Sequence, residues 1–173
     1  NIQTVSQLDP KFLLSQPIIP FQIVNNDQAS GILQKMSINS VPLSKIATVK
    51  AGLKAYEIGK GIPKQTESMK SQRIYHTNSP QDNSYRKYLE GKDVKRYEID
   101  WSGQYLKYGK NLAAPRDPYL FQGERILVRQ IPSKPPYSIN GMIVNEDYVN
   151  DINSMIVIDL DSTYNVFYIL GIL

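Results

Sequence analysis

The side chains able to do chemistry concentrate in Leu89-Glu90-Gly91-Lys92-Asp93-Val94-Lys95-Arg96-Tyr97, which runs on into Glu98-Ile99-Asp100-Trp101. Lys92, Lys95 and Arg96 share nine residues with two acids, a glycine and an aromatic. A core segment does not carry that much charge. A disordered linker is not followed by Ile99, Trp101, Tyr105, Leu106 and Tyr108. The expectation is an ordered turn that presents the three cations and is anchored by Leu89, Val94 and Tyr97. Charge held on a folded support is the mark of a recognition surface.

Catalytic chemistry finds little support. His76 is the one histidine and there is no cysteine, so a zinc site of the usual kind cannot be built and no Ser-His-Asp signature forms. Gly59-Lys60-Gly61 lacks the spacing of a phosphate-binding loop. Ser133-Lys134-Pro135-Pro136-Tyr137 has the Pro-Pro-Tyr of amino-methyltransferases, but Lys134 stands where a side-chain oxygen is needed, so a proline-rich turn is expected. Glu90-Gly91-Lys92 with Asp82 upstream has the acid, then acid-x-lysine order of metal-dependent nucleases. That order is short and recurs by chance. Glu146-Asp147, Glu90 with Asp93, and Asp159 with Asp161 read as solvated turns and caps.

What remains is a set of basic and amide side chains interleaved with aromatics: Lys54, Tyr56 and Lys60; Arg73 and Tyr75; Lys92, Lys95, Arg96 and Tyr97; Lys107 and Tyr108; Arg116; Arg125, Arg129 and Gln130. Lysine and arginine neutralise phosphates, arginine and glutamine present forked donors to base edges, and tyrosine hydroxyls reach backbone oxygens. Taken singly, each is as well explained as a solubilising surface residue. Three readings stay open on the residues alone: a duplex DNA binder, a single-strand or RNA binder that stacks bases on tyrosines, and a small nuclease centred on Glu90 and Lys92.

These residues need positioning elements. Residues 1–24 are irregular, interrupted by Pro10, Pro17 and Pro20, and Asn25-Asn26-Asp27 caps a helix carrying Ala29, Ile32, Leu33 and Met36. Ile46 to Val49 is a short strand, and 51–64 is a basic, glycine-rich loop. Tyr85 to Leu89 reads as one helical turn, and Glu98–Trp101 with Tyr105–Tyr108 as a hairpin around Ser102-Gly103. Arg125 to Ile131 is the clearest strand, ended by Pro132–Pro136. Met142–Val144 and Met155–Ile158 are further strands, and Asp161-Ser162-Thr163 caps a final helix, Tyr164–Leu173. The fold class is α+β: a mostly antiparallel or mixed twisted sheet with a few short helices.

The chain has 173 residues, of which 41% are hydrophobic and 21% charged, enough for one domain with a real core. Its apolar runs are too short to span a bilayer. The net charge of +4 permits a polyanionic partner without requiring one. With no cysteine, a reducing, cytoplasmic compartment is expected. Tyrosine is the unusual count, 12 against 4 phenylalanines, and suits surfaces that are half apolar and half hydrogen-bonding. The absence of an initiating methionine and the apolar final residues suggest a piece of a longer protein.

The block from Leu89 to Tyr97, then Trp101, Tyr105-Leu106-Lys107-Tyr108-Gly109 and Leu112-Ala113-Ala114-Pro115-Arg116, is followed by Phe121, Arg125 to Ile131, Asn153-Ser154 and Tyr168 to Leu173. In this order it closely resembles the TaqI-like C-terminal specificity domain, the target-recognition part of adenine-specific DNA methyltransferases and fused restriction-modification enzymes. Lys45-Ile46 and Gly52 to Tyr56 resemble the start of that domain. The resemblance implies a connector over 1–40 and a target-recognition domain over 41–173. It implies double-stranded DNA and a methyltransferase domain of the same parent chain as partners, with no membrane. It further implies no catalysis or cofactor in this piece; S-adenosylmethionine, and Mg²⁺ if the parent cleaves, would act in the parent. Lys92, Lys95, Arg96, Arg116, Arg125 and Arg129 are the first candidates for DNA contact, followed by Lys54, Tyr56, Lys60 and Gln130. Gly91, Asp93 and Tyr97 would shape the turn, and loops 54–64, 76–84 and 132–142 are candidates for reading bases.

Overall fold

The apolar run Ile126-Leu127-Val128 cannot leave one face in water, and the chain places it inside a sheet. The structure, a computed structural model, describes residues 31, 32, 35, 36, 38 and 40–173. The connector and most of the helix expected after Asn25 lie outside these, although Gly31, Ile32, Lys35, Met36 and Ile38 are helical.

Strand β7 (Arg125–Arg129) is interior to a four-stranded antiparallel sheet in the order β1 (Thr48–Ala51), β10 (Ser154–Ile158), β7, β8 (Gly141–Val144). Its register sets Ile156 against Leu127 and Val157 against Ile126. Alternation sends these pairs to opposite faces, and each face has its own core. Leu127 and Ile156 join Leu53, Leu89, Val94, Leu106, Phe121 and Val149. Ile126 and Val157 pack with Ile169 of α3 (Val166–Ile172), flanked by Leu43 and Ile46 of α1 (Leu43–Ile46). A buried strand covered on both sides reads as a continuous apolar run, which is why this one was legible.

A second sheet runs β2 (His76–Thr77), β6 (Tyr105–Lys107), β3 (Tyr85–Leu89), β9 (Tyr148–Asn150). It is antiparallel except where β3 and β9 pair in parallel. A two-residue ribbon, β4 (Val94–Lys95) with β5 (Glu98–Ile99), completes the strands among the described residues. One further short helix, α2 (Glu67–Ser71), is capped by the Thr66 hydroxyl. The architecture is α+β with mixed sheets and short helices, as expected, and Leu43–Leu173 forms one compact unit.

Four local expectations are corrected. Tyr85–Leu89 is a strand, not a helical turn, because β6 and β9 pair with it on both sides; five residues are too few for helical propensity to resist such pairing. The expected hairpin across Ser102-Gly103 does not form. Glu98–Ile99 folds back on Val94–Lys95, while Tyr105–Lys107 pairs with β2 and β3. The strand expected at 46–49 begins at Thr48, after α1. The last helix is capped by Asn165, whose Oδ1 accepts from the Phe167 and Tyr168 N–H groups. Asp161 instead closes a turn on Thr163.

Candidate nucleic-acid interface

One end of the first sheet collects the C-terminus of β1, the N-terminus of β10, the C-terminus of β7 and the N-terminus of β8. Ser154 pairs with Arg129, Ala51 with Met155, and Val128 with Gly141. Just beyond β1, the Gly52 carbonyl accepts from Arg116 Nε at 3.1 Å. Just before β10, Asn153 lies against Gly91, so the turn carrying Lys92 sits there. Arg129 ends β7 and the exposed Gln130 follows it. At the start of β8, the Gly141 carbonyl accepts from the Tyr97 N–H at 2.9 Å, which sets Arg96 beside it. Arg116, Lys92, Arg129, Gln130 and Arg96 thus form a row across four strand ends, although they are scattered over residues 92–130 of the sequence.

The turn at 89–97 is built as its composition suggested. Gly91–Asp93 is one 3₁₀ turn closed at its N-terminus from both sides: the Glu90 N–H donates to Asp93 Oδ2 at 2.9 Å and the Asp93 N–H to the Glu90 carbonyl at 2.9 Å. Leu89 and Val94 are fully buried. Tyr97 does not anchor the turn. It is 52% exposed, with a left-handed backbone at φ 63°, a conformation uncommon for a bulky residue. A glycine is required at 91 because a Cβ there would fall 2.7 Å from Asn153 Cβ and 2.9 Å from its carbonyl oxygen. Asn153 is itself fixed by Asp151, which accepts from its N–H at 3.0 Å and its Nδ2 at 2.7 Å, while the Asp151 N–H donates to the Leu89 carbonyl at 3.0 Å.

Glu90 organises the cations around the turn. Its carboxylate accepts from Arg73 at 2.6 Å and pairs with Lys92 at 2.7 Å. Burial pushes its pKa up, but the hydrogen bonds from Lys92 and Arg73 outweigh burial and hold it below the usual carboxylate value. Burial raises Asp93 and Asp151, with hydrogen bonds from the Glu90 and Asn153 groups respectively opposing it. The sequence reading, which took Glu90 as a turn or cap acid or as a nuclease centre, missed this organising role, and it did not single out Tyr137, whose ring lies under Arg96 at 4.5 Å from the guanidinium carbon. Nothing in residue spacing links positions 96 and 137.

The remaining candidates divide. Lys95 borders the row and reaches Asp100 at 3.8 Å. Lys54 pairs with Glu57 at 2.7 Å, its backbone bridged to Ala114 near Arg116. Lys60 is exposed but belongs to a different loop, the turn in which its carbonyl accepts from the Gln65 N–H at 2.8 Å. Two candidates are engaged within the fold. Arg125 is 1% exposed, and its guanidinium donates to the carbonyls of Gly123, Glu146 and Tyr148 at 2.9–3.0 Å. Burial pulls its pKa down to about 10. The Tyr56 hydroxyl accepts from the Tyr75 N–H at 2.8 Å and sits 3.0 Å from His76 Nδ1, and burial pushes its pKa up to about 12. The nuclease constellation does not assemble: Asp82 accepts from the Ser84 N–H and hydroxyl, Glu90 is taken by Arg73 and Lys92. Among the described residues no three His, Asp or Glu side chains converge to hold a metal ion. Among the same residues no helix is long and apolar enough to cross a membrane.

A comparison with curated proteins finds no match. The TaqI-like C-terminal specificity domain family matches residues 86–173, from the second residue of β3 through α3. That span takes in the turn, β7 with Arg129 and Gln130, the Asn153 loop and Arg116. The chain therefore belongs to the TaqI-like C-terminal specificity domain family, the DNA-recognition specificity domains of restriction-modification enzymes.

Proposed function

We propose that this domain reads a short sequence in double-stranded DNA as the specificity part of an adenine-specific, cytoplasmic DNA methyltransferase. The observation that carries the reading is the row of Arg116, Lys92, Arg129, Gln130 and Arg96 across one sheet end. Four strands at about 4.8 Å spacing spread such a row over about 14 Å, comparable with a major groove about 12 Å wide. The row mixes point charges suited to phosphates with forked donors suited to base edges. In this reading the methyltransferase domain of the same parent chain holds S-adenosylmethionine, and Mg²⁺ if the parent cleaves. That domain flips and methylates the adenine; the residues described here grip and orient the duplex against it.

Competition at low salt between a mixed-sequence duplex and its separated strands tests the reading. The duplex is expected to displace a labelled duplex better than either strand does. Preference for single strands contradicts the proposal and points to tyrosine stacking instead.

A further inference from the structure

Three side chains of the row end in planar groups with no hydrogen bond or ion pair among the described residues: Arg96, Arg129 and Gln130. Their neighbours are engaged, Lys92 by Glu90, Lys95 by Asp100 and Arg116 by the Gly52 carbonyl. Arg96 differs from the other two in resting on aromatic rings. Its guanidinium carbon lies 4.5 Å from the centroid of Tyr137 and 5.3 Å from that of Tyr97. Both rings come from constrained backbone. Tyr97 is left-handed and tied to Gly141. Tyr137 leaves a proline turn closed by the Ser133 N–H on the Ser138 carbonyl at 2.9 Å and by Asn140 Nδ2 on Ser133 Oγ at 2.8 Å.

Core packing does not explain these rings, since Tyr97 is 52% and Tyr137 63% exposed. They border a groove of about 270 Å³ beside the guanidinium, walled also by Pro136, Ile139 and Leu170. A phosphate contact needs only positive charge near an oxygen and is served by a free lysine. A guanidinium seated over a ring differs: the ring attracts the cation, restricts its motion and leaves N–H donors on the uncovered side free to bond. Two parallel donors of a guanidinium held in place match the O6 and N7 acceptors of guanine.

We infer that Arg96 is a sequence-reading residue, donating two hydrogen bonds to the major-groove edge of a guanine, and that Tyr137 is its positioning residue. The assignment rests on the duplex-reading role proposed above. It makes the proline turn 133–137 part of the recognition surface.

Selection from a randomised duplex pool by the 173-residue chain, followed by sequencing, tests it. The unaltered chain is expected to enrich a motif with a fixed guanine. Arg96→Ala is expected to relax that one position by roughly tenfold or more, with the salt dependence of affinity almost unchanged. Tyr137→Ala weakens the same preference while the melting temperature holds, and Tyr137→Phe, which keeps the ring, restores it. If Arg96→Ala instead weakens every duplex alike and lowers the slope of log affinity against log salt by about one, Arg96 is a phosphate contact. The inference is then overturned with duplex binding intact. A guanine preference untouched in Tyr137→Ala overturns the positioning role. A chain that binds duplex yet enriches no motif overturns sequence reading itself, and the Arg96 assignment with it.

Discussion

Arg125 and Arg129 stand at the two ends of one strand and have opposite roles. Both point to the same side of β7 by alternation, and in sequence they look alike. Glu146 and Tyr148 decide between them, because their carbonyls close over Arg125 and leave Arg129 at the sheet end. Arg125→Met is expected to lower stability by about 3 kcal/mol, since three carbonyls lose a buried donor, read as a fall in chemical-denaturation midpoint. Arg129→Ala is expected to leave that midpoint within error. His76 offers a pH test. Burial, with help from the Arg73 charge, pulls its pKa from 6.5 to about 4. The folded state therefore keeps the imidazole neutral where the unfolded chain protonates it. Its contribution is complete above pH 6.5 and is lost as the pH falls toward 4. Thermal melts should show this decline, and His76→Phe should flatten it. The pair formed by Glu90 with Arg73 and Lys92 loses strength only lower, below the ordinary carboxylate value, because its pKa is depressed.

At the scale of elements, the turn at 89–97 was the most legible feature, since dense charge bracketed by Leu89 and Val94 admits few other structures. The cap was also readable: Asp93 stands three residues after Glu90, the spacing at which its carboxylate reaches back to the Glu90 N–H. What it docks against was not. The contact of Gly91 with Asn153 spans 62 positions and appears in no local pattern. Gly91→Ala is expected to cost about 1–3 kcal/mol, because the Asn153 atoms that meet the new methyl group belong to a loop pinned by Asp151. The same change should weaken duplex binding by displacing Lys92. Denaturation and binding measured on one preparation check both effects, and retention of full stability would mean the turn can move. β3 shows the opposite case. Tyr85-Arg86-Lys87-Tyr88-Leu89 has no strong local preference, and pairing with β6 and β9 imposes the strand.

For the whole molecule, a net charge of +4 says little, but its placement says more. The two cores fix the first sheet from both faces and so hold its strand ends in register. The end formed by Gly52, Asn153, Arg129 and Gly141 then gathers donors that the sequence lists far apart. The residue types were legible in advance; their assembly depends on strand order β1-β10-β7-β8, which no local signal encodes. The central claim is that this sheet end meets duplex DNA, and the slope of log affinity against log salt tests it most directly. Lys92→Ala and Arg116→Ala are each expected to lower that slope by about one, and Lys60→Ala, on a separate loop, to leave it unchanged. Slopes untouched by the first two substitutions but lowered by the third would contradict the account.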